Sequence, residues 1–420
     1  SYGNTFNQLI DIRGFGLTDG FKNVAITVNG RRLNNIDSVP QKLSDLGINN
    51  IDRIEITKGS GSVVHGDGAT GGSIQIYTRD TTETNLKGTV GNYGINTGSF
   101  TTGLSKDKFM LSASGSHYQQ DGFSDKGPDG IKDRASSKNY SAKLRYFPTE
   151  SSELFIEKDY AHVNVRYPNA LALSTFLADP DSNFKTTAGL TNYSFETSNT
   201  NNLSLGGSIE LTPNLEVSLD YTHQDKVIVL STHKQYHSNA VNSSLNFRRG
   251  HFEIITGVQT WQGKRRNTYG TATKTNTGVF VQTNYDAGDN LFSVGGRREN
   301  VSYSFDTKTG SDLLTAYDLG FNRTLNGNLS IFSNFNYAFL APDVDRFFNY
   351  DGEFNGFIYP TRTQTLNLGL NHVTSNNKLK ATVFGMKLKK EQFYNPKTYV
   401  NTNIDKSHKY GLELQNTYNF

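Results

Sequence analysis

The sequence contains no cysteine, nine prolines, two methionines and a single tryptophan among 420 residues. The lack of cysteine excludes disulfide bonds, thiolate metal sites and cysteine nucleophiles. The low proline content argues against a disordered linker protein. Basic and acidic side chains number 42 and 39, which excludes a strongly basic nucleic-acid binder and an acidic tail protein. No stretch reaches the roughly 18 consecutive apolar residues that a membrane-spanning helix needs.

Aromatic and glycine residues are plentiful. Tyr and Phe number 22 and 27 and glycine 40, while hydrophobic residues make up only 35% of the chain. This composition favours strands separated by turns. The mean hydropathy is negative, as in soluble proteins. A negative mean hydropathy does not exclude a transmembrane β-barrel, because the strands of such a barrel carry apolar residues only at every second position.

The first eighty residues differ from the rest. Short strands are predicted at residues 10–16, 24–30, 51–56 and 73–77, and a glycine-rich segment at 59–72 separates the last two. The pattern predicts a small mixed α/β domain over residues 1–80.

Long alternating strands follow over residues 81–420. Apolar and polar residues alternate strictly on either side of three tight turns, at 212–214, 326–328 and 374–377. Such alternation over about ten residues is typical of outer-membrane strands, although a soluble β-sandwich also alternates.

Connection lengths favour the membrane interpretation. The short turns alternate with long polar segments at 119–137, 163–200, 263–275 and 340–361. Short turns at one end and long loops at the other are characteristic of a barrel that spans the outer membrane. The sequence therefore predicts an all-β transmembrane β-barrel with sixteen or seventeen antiparallel strands.

Several segments follow a recognisable pattern. Residues 11–16 read Asp-Ile-Arg-Gly-Phe-Gly, residues 28–33 read Val-Asn-Gly-Arg-Arg-Leu, and a run from Ile51 to Ile76 combines an Arg-Ile-Glu strand with Gly-rich turns. These segments resemble the plug domain of the TonB-dependent outer-membrane receptors. Residues 338–343 and 410–414 are similar to mid-barrel motifs of the same family, so the resemblance spans essentially the whole chain.

The resemblance implies a receptor in the outer membrane of a Gram-negative bacterium, with a plug moved by the TonB–ExbB–ExbD energy-coupling complex. It implies a small-molecule metal chelate as ligand, with a ferric siderophore favoured, and outer-membrane lipid around the barrel. No enzyme activity, nucleic-acid partner, resident cofactor or protein-bound metal is expected, so that iron or another metal enters only with the ligand. A monomer is expected.

Family plugs contact the barrel wall through arginines that face two barrel glutamates. Arg13 matches one arginine, and Lys58 stands at a second cation position. Glu413 matches one glutamate and is predicted to face the lumen, because the leucines on both sides of it face lipid. Asn367 stands at the other glutamate position. We expect a weaker lock, since Lys and Asn do not reproduce the bidentate Arg–carboxylate pair.

Family barrels have twenty-two strands, and family plugs begin further upstream with a signal peptide and an energy-coupling box. We therefore expect a fragment whose plug lacks its N-terminal part and whose barrel lacks about five C-terminal strands, because open strand edges are not tolerated in lipid. The alternative is a complete small barrel that ends at the aromatic Phe420.

Two groups of residues are the expected ligand contacts. By family position, the apical plug loops contribute Thr18, Asp19, Phe21, Asn34, Asn35 and Asp37. The long 340–361 loop carries Phe347, Phe348, Tyr350, Phe354, Phe357 and Tyr359. Exposed aromatic rings at a barrel mouth are suited to stacking on a ligand, and packing of the loop against itself is the alternative.

Other motifs have simpler explanations. The glycine-rich segment lacks the spacing of a nucleotide-binding loop. His233 and His237 would be roughly 13 Å apart on a strand, with His223 nearby. The aspartates at 121, 125, 129 and 133 lack the spacing of a calcium loop. Solvated residues are the preferred interpretation of both sets.

Three functional alternatives remain open. A receptor of the same class carries cobalamin, haem, a nickel chelate or an oligosaccharide. A passive porin or adhesin needs no energy coupling, but a separate eighty-residue N-terminal domain counts against it. A soluble β-sandwich that binds carbohydrate would fold without detergent.

Overall fold

The structure is a computed structural model, which describes residues 8–16, 19–127, 130–168, 171–182, 193–230, 232–268, 270–349 and 351–419. Within these ranges the chain forms one four-stranded sheet and one sixteen-stranded sheet. Among the residues described, no helix is both long and apolar enough to cross a membrane.

The four-stranded sheet belongs to the N-terminal domain. It consists of β1 (Val24–Val28), β2 (Arg31–Arg32), β3 (Ile51–Lys58) and β4 (Gly72–Thr78), in the order β2-β1-β4-β3. β1 pairs in parallel with β4, and the other pairs are antiparallel. Helix α1 (Ser62–His65) lies between β3 and β4, and 3₁₀ turns occur at Gly20–Asn23, Leu43–Asp45 and Ile48–Asn50. The core consists of Val24, Ile26, Val28, Leu33, Ile74 and Ile76.

The strand predicted at residues 10–16 is wrong, because this segment forms a turn. The Asp11 carboxylate accepts hydrogen bonds from the backbone N–H groups of Phe15 (2.9 Å) and Gly16 (2.8 Å). Arg13, Gly14 and Gly16 all have positive φ angles, of 69°, 71° and 90°. A carboxylate that binds nearby backbone amides, together with glycines that adopt positive φ, favours a turn over a strand.

The sixteen-stranded sheet is a meander in which each strand pairs with the next along the chain. Its strands are β5 (Asn85–Val90), β6 (Asn96–Lys106), β7 (Phe109–Gln120), β8 (Ala135–Thr149), β9 (Ser152–Pro168), β10 (Tyr193–Thr212), β11 (Leu215–Val229), β12 (His233–Arg249), β13 (Phe252–Asn267), β14 (Gly270–Ala287), β15 (Asn290–Phe305), β16 (Lys308–Asn326), β17 (Leu329–Leu340), β18 (Thr361–Val373), β19 (Asn377–Asn395) and β20 (Val400–Tyr418). Helix α2 (Leu173–Ala178) follows β9, and a 3₁₀ turn at Val344–Phe347 follows β17. The predicted count of sixteen or seventeen strands is confirmed.

The three predicted tight turns are confirmed as hairpin ends. Thr212 pairs with Leu215, Asn326 with Leu329, and Val373 with Lys378. The long loop predicted at 263–275 is wrong, since β13 continues to Asn267 and β14 begins at Gly270. The prediction failed in this region because threonine, lysine and asparagine occupy the strand faces, and no face shows the alternating apolar residues that indicate a strand.

The two faces of the large sheet differ in chemistry. On β10, Thr200, Asn202 and Ser204 are buried, whereas Leu205 and Ile209 are exposed. Polar residues on the inner face and apolar residues on the outer face are the arrangement of a barrel in lipid.

The large sheet curves around the N-terminal domain. Side chains of that domain bind the wall from β6, where Asn49 donates to Ser99 (2.8 Å), to β20, where Arg13 contacts Glu413. β5 and β20 are the two edges of the sheet among the residues described. The N-terminal domain therefore lies in the lumen, and we call it the plug.

Candidate functional site

The turn at residues 11–16 directs Arg13 toward the last wall strand. Arg13 Nε lies 3.3 Å from Glu413 Oε1, and Arg13 Nη2 lies 3.5 Å from Glu413 Oε2. The Arg13 side chain is 1% exposed and the Glu413 side chain 22%. Arg13 Cζ also lies 4.3 Å from the centroid of the Phe384 ring. The structure thus brings together two of the predicted lock residues, 400 positions apart.

Asn367 lies beside this pair. A methyl group placed on Gly59 would be 3.4 Å from both Arg13 Nη1 and Asn367 Nδ2. Asn367 Nδ2 donates to Asn334 Oδ1 (2.5 Å). Arg13 Nη1 and Asn367 Oδ1 are buried without a hydrogen-bond partner in the described part of the chain. A carboxylate at position 367 would supply the acceptor that this nitrogen lacks.

Lys58 does not join this cluster. Its side chain is exposed at the end of β3, and it forms no ion pair with a carboxylate among the described residues. This position does not support the prediction that Lys58 is the second cation of the lock. β3 is exposed on both of its faces from Asp52 to Lys58, and sequence similarity to the family did not reveal this exposure.

Further ion pairs hold the plug against β9 and β10. Arg31 Nη2 lies 3.3 Å from Asp159 Oδ2, and Lys42 pairs with Glu196 at a site where both side chains are 3% exposed. Asn29 donates to both Glu157 oxygens, at 3.1 and 3.2 Å. Buried charges require partners, and here each partner comes from the other domain.

The apical plug residues predicted to bind ligand are mostly engaged in internal contacts. Asn34 is buried, accepts from Ile26 N (3.0 Å) and donates to Val24 O (3.0 Å). Asn35 donates to Val39 O (2.9 Å) and accepts from Lys226. These contacts fold the apex and join it to the wall.

Phe21 is buried, and Asp19 contacts Arg346. Thr18 lies outside the described residues. In this conformation Phe21 and Asn34 would meet a ligand only after the apex opened, and the ligand-binding role of all these residues stays a prediction.

Asp37 lies at the centre of a charged cluster between plug, wall and loop. It accepts from Tyr236 Oη (2.8 Å) and contacts Arg265 Nη1 (3.3 Å) and Lys234 Nζ (3.4 Å). Arg265 also contacts Asp345 of the loop after β17. Burial and the nearby Asp37 raise the pKa of Asp345 despite Arg265. The cluster therefore joins all three parts of the protein at the apex.

The loop segment 341–348 lies directly on the plug apex. Its contacts are Lys22 Nζ to Asp343 Oδ2 (2.8 Å), Ser38 N to Asp345 Oδ2 (3.0 Å), Val344 N to Ile36 O (2.8 Å) and Arg346 to Asp19. The cavity beneath it, lined by Arg32, Asp67 and Lys274 among others, has a volume of about 30 Å³. That space is suited to one or two water molecules rather than a chelate.

Most aromatic rings of the loop pack against one another or against the wall. Phe347 is buried against Tyr303, with ring centroids 4.8 Å apart. The other edge-to-face pairs are Phe305–Phe348, Phe348–Phe354, Phe354–Phe357 and Phe347–Phe357. These contacts favour the packing alternative for Phe347, Phe348 and Phe354. Tyr350 lies outside the described residues.

Tyr359 is the exception, because its side chain is 65% exposed. Tyr359 N donates to Asn403 Oδ1 and Asn403 Nδ2 donates to Tyr359 O, each at 2.9 Å. The backbone is thus fixed while the ring faces solvent near Lys390 Nζ, 5.6 Å from its centroid. Phe357, 39% exposed, is the next most accessible ring of the loop. Among the described rings of the predicted loop set these two are the most accessible, and their ligand-binding role stays a prediction.

Sequence reasoning missed most of the buried contacts between plug and wall, including one on β14. Lys274 Nζ of β14 lies 2.7 Å from Asp67 Oδ2, and Ala341 N donates to Asp67 Oδ1 at 2.8 Å. Lys274 falls in the segment predicted to be a loop. The signal was present, since Ala272, Lys274 and Asn276 alternate with threonines, but it lacked the apolar face that identifies a strand in lipid.

Described members of the two candidate metal sets bind neighbouring side chains, and Asp129 lies outside the described residues. Across the ranges that the structure describes, no group of three or more His, Asp or Glu side chains is arranged to hold a metal ion. His223 Nε2 lies 3.0 Å from Asp225, which also contacts His237, so these groups bind one another. Asp133 accepts from Ser124 N (2.9 Å) and Ser124 Oγ (2.8 Å).

A plug that lies in the lumen and is joined to the wall by buried ion pairs defines a class of protein, the plugged transmembrane β-barrels. The family described as TonB-dependent Receptor Plug Domain matches residues 1–73, and the family described as TonB dependent receptor-like, beta-barrel matches residues 67–420. The chain belongs to the TonB-dependent receptor family.

Solved structures share this fold. The copper transporter OprC is 15% identical, with 98% of this chain and 72% of that chain covered and a TM-score of 0.79. The ferric yersiniabactin uptake receptor FyuA from Yersinia pestis is 15% identical, with 100% and 71% covered and a TM-score of 0.81. The FrpB iron transporter (F3-3 variant) from Neisseria meningitidis is 15% identical, with 96% and 71% covered and a TM-score of 0.76. A comparison with curated proteins returned no match.

Membership in the TonB-dependent receptor family has consequences for function, location and energy coupling. The family consists of receptors that act as transporters and not as enzymes, and its barrels belong to the outer membrane of Gram-negative bacteria. It implies TonB-dependent energy coupling and a small-molecule ligand.

Proposed function

We propose that this protein imports a scarce nutrient across the outer membrane as a small-molecule metal chelate, with a ferric siderophore as the favoured cargo. The ligand binds at the extracellular face, and the TonB–ExbB–ExbD complex moves the plug. Family membership supports this proposal, and so does the presence of a ferric yersiniabactin receptor and an iron transporter among structures of the same fold.

The observation that carries the proposal is the set of charged contacts between plug and wall. Buried or partly buried pairs join them at Arg13–Glu413, Arg31–Asp159, Asp37–Arg265, Lys42–Glu196 and Asp67–Lys274. Moving the plug out of the lumen separates all five pairs at once, and the hydrogen bonds to charged groups in such pairs are worth about 1.5–3 kcal/mol each. We infer that an external energy source drives this movement.

The exposure of the loop and of the plug apex suggests the order in which a ligand contacts them. The exposed ring of Tyr359 is available to a ligand in this conformation, whereas Phe21 and Asn34 are covered. A ligand therefore first contacts the loop, and the apex becomes accessible when the segment 341–348 moves. Binding biases the plug toward the released state only if the ligand prefers that state.

The single tryptophan offers a binding assay. Trp261 lies in the lumen with Arg32 Cζ 5.1 Å from its ring centroid, close to the apex. We expect the cognate chelate to change its fluorescence in titrations with ferric siderophores, haem, cobalamin, nickel and copper chelates and oligosaccharides. Trp261→Phe is the control, since it removes the signal and is expected to retain uptake. Failure of every ferric chelate to bind, with a clear response to another panel member, would replace the iron proposal.

Energy coupling is tested separately. Uptake of the bound ligand by cells should stop when the TonB complex is deleted or the proton gradient is collapsed. A passive porin would instead raise the conductance of a planar bilayer without any partner. Steady conductance from the purified protein would therefore contradict coupled import.

A further inference from the structure

Three parts of the protein meet at Lys274. The plug contributes Asp67 from the turn after α1, the wall contributes Lys274 from β14, and the extracellular loop contributes Ala341 and Pro342 at its base. Lys274 Nζ lies 2.7 Å from Asp67 Oδ2 and also donates to Pro342 O (3.1 Å) and Ala341 O (3.4 Å). Asp67 Oδ1 accepts from Ala341 N at 2.8 Å. One plug carboxylate thus binds wall and loop at the same time.

The charges at this contact are shielded from water. The side chains of Asp67 and Lys274 are 2% and 6% exposed. Burial by itself raises the pKa of Asp67, but the charges of Lys274 and Arg32 and the hydrogen bonds from Lys274 and Ala341 outweigh it and hold the pKa below its ordinary value. The carboxylate is therefore charged and depends on these partners.

The plug side of the contact has little freedom to move alone. Gly66 has a φ of 70°, and a methyl group placed on it would lie 2.6 Å from Glu299 Oε2 and 2.8 Å from Arg297 Nη2. The turn therefore lies directly on the wall, in a backbone conformation and a space that only glycine fits. Displacing the plug here displaces Asp67 from both of its partners.

The loop side is fixed by a short chain of hydrogen bonds. Tyr303 Oη donates to Pro342 O at 3.1 Å, and Gln392 Nε2 donates to Leu340 O at 3.1 Å. Two residues further on, Val344 N donates to Ile36 O of the plug. If the base of the loop rises, Asp67 loses the Ala341 amide and Lys274 loses two carbonyl groups.

We propose that Asp67 and Lys274 are positioning residues that couple the base of the extracellular loop to the plug, so that movement of either one weakens the hold on the other. This coupling deepens the proposed function, because it gives ligand contact at the loop a direct route to the plug. Coupling of this kind is reciprocal. Loosening the contact at Asp67 should therefore free the loop as well as the plug turn.

The absence of cysteine allows single thiol reporters. Ser62→Cys reports on the plug, because Ser62 is buried in α1 and its hydroxyl makes no hydrogen bond in the described structure. Val344→Cys reports on the loop, because Val344 is buried between loop and plug. Each reporter is labelled with a membrane-impermeant maleimide in the full-length protein, without ligand or energy source. The result therefore does not depend on whether the import proposal is correct.

Three variants are compared in each reporter background. Asp67→Asn leaves the Lys274 cation without its carboxylate, Lys274→Met leaves the Asp67 carboxylate without the Lys274 cation, and the double variant removes both charges of this pair. Asp45→Asn is the matched control, since Asp45 is a plug carboxylate that accepts from Thr200 of the wall (2.7 Å) and makes no contact with the described residues of the loop.

We expect either single variant to speed labelling of both reporters by about a hundredfold, as for an uncompensated buried charge. The double variant should be labelled more slowly than Lys274→Met, because both charges of the pair are absent. Asp45→Asn should leave Val344→Cys unchanged. The folded barrel is checked by its heat-dependent mobility in gels. If Asp67→Asn exposes Ser62→Cys while Val344→Cys keeps its slow rate, the contact only stabilises the plug and the proposal is wrong.

Discussion

The Arg13–Glu413 pair provides a direct test of how the plug is held. Glu413→Gln removes the carboxylate charge and retains the shape of the side chain. Arg13, at 1% exposure and beneath the Phe384 ring, would then remain in the lumen without its counter-ion. The plug should open more often, because an unpaired buried cation favours the state in which it reaches water.

The magnitude follows from burial and distance. Removing one partner of a fully buried pair costs about 3–5 kcal/mol, and an exposed pair is worth about 0–1 kcal/mol. Glu413 is 22% exposed and its contacts are 3.3 and 3.5 Å, so this pair lies between the two limits. We expect a loss of about 2 kcal/mol, or about 30-fold more open plug.

Ser73→Cys is a suitable reporter for this end of the plug. Ser73 is buried on β4, next to the glycine that approaches Ile12, and its hydroxyl makes no hydrogen bond in the described structure. Its labelling rate with an impermeant maleimide should rise about 30-fold in Glu413→Gln. Cells that carry the variant should also admit more of a large antibiotic.

Glu253→Gln is the matched control. Glu253 pairs with Arg248 at 2.8 Å, a shorter distance than in the lock, but Glu253 and Arg248 are 32% and 65% exposed. We expect this substitution to change the labelling rate by less than about threefold. Equal rates in Glu413→Gln and Glu253→Gln, with no added antibiotic entry, would refute the view that the Arg13 contact holds the plug.

Three other outcomes follow from the structure. Asn367→Glu should slow Ser73→Cys labelling by about fivefold, because a carboxylate there would accept from the unpartnered Nη1 of Arg13; faster labelling would mean that the added charge is not paired. Burial and two neighbouring arginines lower the pKa of His65 to about 4, so the unfolded plug binds more protons than the folded one between that value and about 6.5. Plug stability should therefore fall by about 1–2 kcal/mol from pH 7 to pH 5, and His65→Gln should remove this dependence in thermal melts. Phe347→Ala should cost about 3 kcal/mol of stability, because Phe347 is buried. Tyr359→Ala should change stability by less than about 0.5 kcal/mol and weaken ligand binding. The reverse pattern in thermal melts and fluorescence titrations would contradict the roles assigned to the two rings.

The strands of the wall were largely predictable. Alternation at 203–211 and 215–222, with the turn at Thr212, specified a hairpin that the structure contains. The same parity predicted that Glu413 faces the lumen, and its exposed leucine neighbours agree. Where the outer face is threonine instead of leucine, as around Lys274, the pattern gave no strand and the prediction was wrong.

The candidate site was predictable only in part. Resemblance placed Arg13 and Glu413 opposite each other, but it gave no means to see that Lys58 is exposed on β3. Composition identified the aromatic loop without showing that Phe347 is buried and Tyr359 exposed. Both distinctions depend on which surface lies opposite each side chain.

The sequence by itself determined most strands of the wall, their tight turns and the two faces of the wall, because side-chain direction alternates every residue and is therefore a local property. Only the tertiary structure decided which charges meet. Asp67 and Lys274 are 207 positions apart, and Arg13 and Glu413 are 400 apart. Such contacts depend on the register of every strand between them and on how the plug lies in the lumen, and no short stretch of sequence contains that information.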